Sequence, residues 1–276
     1  MNHNQKTEYG IEDLRYLMRR LRDPKSGCPW DLKQNFQSLT SHTIEEAYEV
    51  VDAIEQDDMS HLSEELGDLL FQIIFYSQLA EEQSQFSFDD IISTITQKLI
   101  RRHPHVFPEG TIESSRVSLA DAEIVEIKRV WEEIKRQERT DKGIGKTLDD
   151  IPLALPALNR ALKLQKRAAN VGFDWSDIKQ VIEEINEEVI ELEVEVKRGD
   201  KVRMADELGD LLFSCVNLAR HLKLDPETSL RGANQKFKRR FESMELLAGK
   251  TKIEDHSADQ LELLWGKVKR SESHSS

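Results

Sequence analysis

Cysteine is scarce in this chain: Cys28 and Cys215 are the only two among 276 residues. Two thiols cannot staple a disulfide scaffold, and they match no zinc-binding spacing. Glycine and proline are thin as well, 12 and 7, which argues for long helices and against many short strands joined by tight turns. The longest nearly continuous apolar run, Leu69 to Tyr76, is broken by Gln72 and falls well short of the ~20 residues of a membrane span. Met1 to Gly10 is polar, without the apolar stretch of an export signal, so a cytoplasmic protein is expected. Basic residues are in deficit, 39 against 52 acidic, for a net charge of −13. Such a surface repels phosphodiester backbones and anionic lipid, leaving nucleic acid polymers and membranes as poor partners. A small phosphate ligand remains compatible if a divalent cation accompanies it.

What is present is present twice. Glu65-Leu66-Gly67-Asp68-Leu69-Leu70-Phe71 recurs as Glu207-Leu208-Gly209-Asp210-Leu211-Leu212-Phe213. Upstream, Ile44 to Glu49 parallels Ile182 to Glu187, and Gly27-Cys28-Pro29-Trp30-Asp31 parallels Gly172-Phe173-Asp174-Trp175. Downstream, Lys98 to Arg102 parallels Lys236 to Arg240, and each half closes on a tryptophan, Trp131 and Trp265. Two tandem helical domains follow from this, 1–137 and 156–276, joined by a linker over 138–155 that carries Gly143, Gly145 and Pro152.

Spacing gives the local structure. Ile44, Ala47, Tyr48 and Val51 fall at i, i+3, i+4 and i+7, one face of a helix. Leu66, Leu69, Leu70, Ile73 and Ile74 form a second stripe. Ile182, Ile185 and Val189, then Leu208, Leu211 and Leu212, repeat the pattern. Short connections near Gln56–Ser60 and Arg198–Lys201 place each helix pair antiparallel, so the expected fold is all-α, two helical bundles in tandem.

The same spacing gathers acid. Glu46 and Glu49 project together one turn apart, as do Glu65 and Asp68 on the partner helix. A like-charge pair about 4 Å apart costs on the order of 4 kcal/mol at an effective dielectric near 20. A hard cation removes that cost, and oxygen-only ligands select magnesium, manganese or calcium over zinc. Gly67 and Gly209 each cost a helix interior about 1 kcal/mol relative to alanine, which points to close backbone approach there. In the second half two registers are open. Glu183, Glu184 and Glu187 have the better-matched apolar flanks and are preferred, at the cost of a connection four residues longer. Glu187, Glu188 and Glu191 match the first repeat without a gap.

These residues resemble the MazG family of nucleoside triphosphate pyrophosphohydrolases, whose pattern is E-E-x-x-E followed by E-x-x-D, and the likeness covers nearly the whole chain. Gly27 to Asp31 and Arg101-Arg102-His103-Pro104-His105-Val106-Phe107 resemble the two-domain members. The resemblance implies a helical homodimer that uses Mg²⁺, or Mn²⁺, to split NTPs and dNTPs at the α-phosphorus into monophosphate and pyrophosphate. It implies metal ligands Glu184, Glu187, Glu207 and Asp210, with Glu46, Glu49, Glu65 and Asp68 as a second set. Glu183 or Glu184 would orient or deprotonate the water. Arg203, Lys236 and Arg240 would meet the phosphates and Trp265 the base, with Lys98 and Arg102 as weaker counterparts. The second half, with its extra carboxylates and Arg203 where the first has His61, is the favoured working site.

Other readings fit less. Gly145-Lys146-Thr147 ends like a P-loop, but Thr140 stands where that motif needs glycine. A ferritin-like di-iron bundle needs Glu-x-x-His, and no histidine here has glutamate three residues before it. His103 and His105 read as structural. A dUTPase-like or phosphoribosyl-nucleotide pyrophosphohydrolase on the same scaffold, or a non-catalytic helical interaction module, remain as rivals.

Overall fold

The computed structural model describes residues 8–114, 124–141, 143, 145–249 and 251–273, so the first seven residues of the polar N-terminal segment lie outside the described residues. The chain divides into two compact units, Met1–Arg136 and Gln137–Ser276. The first is built from α1 (Ile11–Leu21), α2 (Pro29–Lys33), α3 (Thr40–Glu55), α4 (Met59–Glu82), α5 (Phe88–Arg102) and the start of α6 (Ile124–Asp141). The second contains α7 (Ala157–Ala169), α8 (Ile178–Arg198), α9 (Lys201–His221), α10 (Pro226–Ala248) and α11 (Ala258–Ser273). No strand occurs among the described residues, and the fold is all-α with a repeated helical domain. Helix α6 runs on to Asp141, so the segment expected as linker opens helically.

Each unit centres on a helical hairpin, α3–α4 or α8–α9. Both hairpins turn the same way. Asp57, with φ 57°, and Gly199, with φ 76°, take the left-handed conformation that ends one helix. Asp58 and Asp200 then cap the next: Asp58 accepts from the Ser60 and His61 N–H at 3.1 and 3.0 Å, and Asp200 from the Val202 and Arg203 N–H at 3.0 and 3.2 Å. Each cap satisfies donors that the first helical turn leaves open, and losing one costs about 1 kcal/mol.

The core of the first unit joins Met18 of α1, Leu39 at the start of α3, Ile74, Phe75 and Leu79 of α4, and Phe88 of α5. Arg22 clamps its edge. Its guanidinium donates to both Glu82 carboxylate oxygens at 2.8 and 2.6 Å, caps the carbonyl of Asp31, and lies 5.5 Å above the Phe75 ring. In the second unit Met244 of α10 packs with Leu264 and Val268 of α11, flanked by Trp265.

The apolar stripes do not all turn inward as their spacing suggests. Ile44 and Tyr48 on α3, and Leu66, Leu70 and Ile73 on α4, are exposed, while Ala53 on α3 and Ile74, Phe75 and Ala80 on α4 are fully buried. Ile182, Val189, Leu208 and Leu212 repeat this on the second hairpin. The half-buried Glu46 and buried Glu65 occupy the seam between α3 and α4 instead, so much of the apolar face looks away from it.

Candidate metal and substrate site

Antiparallel helices bring together residues equally distant from their turn. Glu49 and Glu65 are sixteen residues apart, and so are Glu191 and Glu207. In the first unit, carboxylate oxygens of Glu46, Glu49 and Glu65 all lie within 4.8 Å of one another. Asp68 sits close enough that it, after burial and before Glu49, raises the pKa of Glu46 above the usual carboxylate value. His61 Nε2 stands 2.6 Å from Glu65 Oε1, one turn away on α4.

In the second unit the corresponding group is Glu188, Glu207 and Asp210, again within 4.8 Å. Burial raises the pKa of Glu188, followed by the charges of Asp210, Glu191, Glu184 and Glu207. Glu207 is likewise raised by desolvation and then by Glu191, Asp206, Asp210 and Glu195. Glu191 therefore faces both Glu188 and Glu207.

This arrangement gathers the gapless register rather than the preferred one. Glu184 and Glu187 do not join Glu207 and Asp210; Glu188 does, with Glu191 beside it. The turn between α8 and α9 is only Gly199 and Asp200, which leaves no room for a connection four residues longer. A four-residue offset would move a carboxylate about 6 Å along the helix, out of reach of the partner arm. The gapless spacing is the signal that pairs Glu188 and Glu191 with this group, and the apolar flanks give no such guide because those stripes face outward. Glu184 still borders the group through Glu188. Glu183 and Glu187 are exposed and are not brought to it. The glycines need correction too: among the described residues, a Cβ added at Gly67 or Gly209 would meet nothing within 4 Å. Neither permits a close approach among the described residues.

The basic and aromatic candidates form their own groups. Arg203 and Lys236 are exposed. Arg240 is engaged by Glu272, its Nε donating at 2.7 Å, and lies 5.8 Å over the Trp265 ring, which packs on Phe237 at 5.5 Å. In the first unit Lys98 and Arg102 are half-buried on α5. Trp131 carries Lys135 Nζ 4.0 Å above its ring and His103 at 6.2 Å, with His105 next to His103 at 5.6 Å.

The donor sets fit a hard divalent ion. All are carboxylate oxygens, one arm of each set is at least half-buried, and the 4.8 Å spread exceeds only slightly the roughly 4 Å across an octahedral Mg²⁺. Each cluster has the composition and closeness to hold a metal. No described helix is long and apolar enough to cross a membrane.

Comparison with known proteins places both hairpins in one family. The MazG nucleotide pyrophosphohydrolase domain matches residues 34–107 and again 177–244. The nucleoside triphosphate pyrophosphohydrolase of Escherichia coli K12 is 46% identical over 266 residues, covering 95% of this chain and 98% of that protein. The nucleoside triphosphate pyrophosphohydrolase/pyrophosphatase MazG of Thermotoga maritima is 42% identical over 266 residues, 95% of this chain and 97% of that one. Bacillus subtilis YabN is 41% identical over 265 residues, 95% of this chain and 52% of its own length. With the motif duplicated, both copies matched and full-length relatives at this identity, the chain belongs to the MazG family of nucleotide pyrophosphohydrolases.

Proposed function

We propose that this chain hydrolyses nucleoside triphosphates, ribo and deoxy, at the α-phosphorus to give a nucleoside monophosphate and pyrophosphate, with Mg²⁺ as the working ion and Mn²⁺ as a substitute. The observation that carries the reading is the pair of carboxylate groups, each within 4.8 Å, on the facing arms of two like hairpins. The names of the Escherichia coli and Thermotoga maritima relatives support the substrate class.

A divalent ion bound there supplies charge neutralisation at the phosphates and an acidified water. Glu188, Glu191, Glu207 and Asp210 hold it in the second unit, and Glu46, Glu49, Glu65 and Asp68 in the first. Glu184, one turn before Glu188, orients the attacking water and takes its proton. Arg203 and Lys236 offset the phosphate charge that the cage would otherwise repel. Arg240 joins them by exchanging Glu272 for phosphate, which frees the ring of Trp265 to stack on the base. Lys98 and Arg102 are the weaker counterparts. The second unit, richer in acid and carrying Arg203, does most of the turnover. Each repeat is a domain, 1–137 and 156–276, with 138–155 between them.

A second copy of the chain covers the exposed apolar faces of the hairpins, giving a homodimer. Tyr48, Leu66 and Leu70, and in the second unit Leu208 and Leu212, are too many large apolar side chains for water alone to face.

Pyrophosphate release from a panel of NTPs, dNTPs including dUTP, and phosphoribosyl nucleotides, with Mg²⁺ and with EDTA, tests this. Broad Mg²⁺-dependent release supports it. No release from any nucleotide overturns it, and release confined to dUTP or to phosphoribosyl nucleotides replaces it with the specialised reading. Greater loss from Glu207→Gln than from Glu65→Gln is expected if the second unit leads.

A further inference from the structure

The two hairpins differ at the residue directly after the shared heptapeptide: Gln72 in the first, Ser214 in the second. Gln72 lies one turn beyond Asp68 on α4 and is only 7% exposed. Its Nε2 donates to Glu46 Oε1 at 3.4 Å, so its amide head sits at the edge of the carboxylate group. The other end of that amide, Oε1, is fully buried and has no hydrogen-bond partner among the described residues. An unmet buried acceptor is destabilising, and apolar side chains of the same size were available to the core around Ile74 and Phe75. The equivalent Ser214 is too short to span to the opposite helix in this way.

We propose that Gln72 is a positioning residue of the first carboxylate site: its N–H fixes Glu46 in the ligating orientation, and its carbonyl oxygen accepts a hydrogen bond from a water on the bound divalent ion. The inference rests on the metal-binding reading of Glu46, Glu49 and Glu65 given above. Its consequence is an asymmetry between two sites with the same ligands. The first is preorganised by Gln72 and binds the ion more tightly, whereas the second has Ser214 at that position and, among the described residues, no amide donating to Glu188. Removing a partner that orients a metal ligand lowers affinity about 10–100-fold.

Mn²⁺ titration of the full chain, read by the spectrum of free Mn²⁺, tests this with Gln72→Met, Gln72→Asn, Glu65→Gln and Glu207→Gln. Two classes of site are expected in the unaltered protein, the tighter abolished by Glu65→Gln and the weaker by Glu207→Gln. Gln72→Met should weaken only the tighter class, about 10–100-fold, with the weaker class as internal control. Gln72→Asn keeps the amide but withdraws it from Glu46, and should do the same if the methionine variant folds poorly. Unchanged Mn²⁺ affinity in a folded Gln72 variant, even with a lower melting temperature, assigns Gln72 to packing and overturns the proposal. If Glu65→Gln removes no Mn²⁺ class at all, the metal-binding reading of the first site has failed and the proposal falls with it. The two failures are thereby distinguished.

Discussion

Glu188 of α8 and Glu207 of α9 bring carboxylate oxygens within 4.8 Å across the second hairpin. Each is raised in pKa above an ordinary glutamate, desolvation coming first and neighbouring acids second. Two like charges held this close are tolerable only with protons or a cation between them.

Charge-neutral variants discriminate between the two registers. Glu188→Gln and Glu207→Gln should each lower pyrophosphate release by about 100-fold or more, on the order of 3 kcal/mol of transition-state stabilisation. Glu183→Gln and Glu187→Gln, which are exposed away from the group, should stay within a few-fold. A loss from Glu187→Gln equal to that from Glu188→Gln would reinstate the longer connection.

The pH dependence has a defined sign. Folded Glu46, Glu188 and Glu207 bind protons more tightly than in the unfolded chain. Their stabilising contribution is therefore present at low pH and fades as pH rises through the raised folded values. Glu82, lowered by Arg22, and Asp174, lowered by Arg220, act oppositely: their contribution is present above the unfolded carboxylate value and is lost as pH falls through the folded one. Melting of the metal-free protein against pH, with and without Glu46→Gln and Glu188→Gln together, isolates the first group. The double variant should flatten the decline above the carboxylate range, and saturating Mg²⁺ should flatten it in the unaltered protein. A decline untouched by either would assign it to other groups.

Two glycines should respond in opposite directions. A Cβ at Gly27 would stand 2.6 Å from the Asp23 carbonyl oxygen and run into that of Leu21 as well, all of it backbone. Gly27→Ala should destabilise by about 1–3 kcal/mol, as other overpacked sites do. A Cβ at Gly67 meets open space, so Gly67→Ala should stabilise an isolated chain by up to about 1 kcal/mol through helix propensity. Chemical denaturation of both variants reads the two signs. Destabilisation by Gly67→Ala would mean that another molecule packs on that face.

The exposed stripes predict the assembly. Tyr48→Glu together with Leu66→Glu places charge on the outward face of the first hairpin and should shift sedimentation toward the monomer without lowering helicity. An unchanged sedimentation coefficient would remove this face from the dimer contact.

Sequence alone determined a good deal: the repeat, the all-α class, and the acid pairs one turn apart. These properties are local, and helical periodicity fixes which side chains share a face wherever the helix sits. That Glu46 shares a helix face with Glu49, and Glu65 with Asp68, was legible for that reason. Which arm positions meet across a hairpin was a tertiary matter. Only the two-residue turn at Gly199 and Asp200 sets α8 against α9 so that Glu188, and not Glu187, reaches Glu207. Burial was tertiary as well. The stripe through Ile44 and Tyr48 looks like a core-facing pattern, yet the seam is occupied by Glu46 and Glu65, and the stripe is left facing outward. The roles of Arg240 and Trp265 were likewise invisible in spacing, because Glu272 and Phe237 reach them from outside their own helical turns. Periodicity reports the direction of a side chain from its own axis; what stands opposite depends on where the next helix is placed.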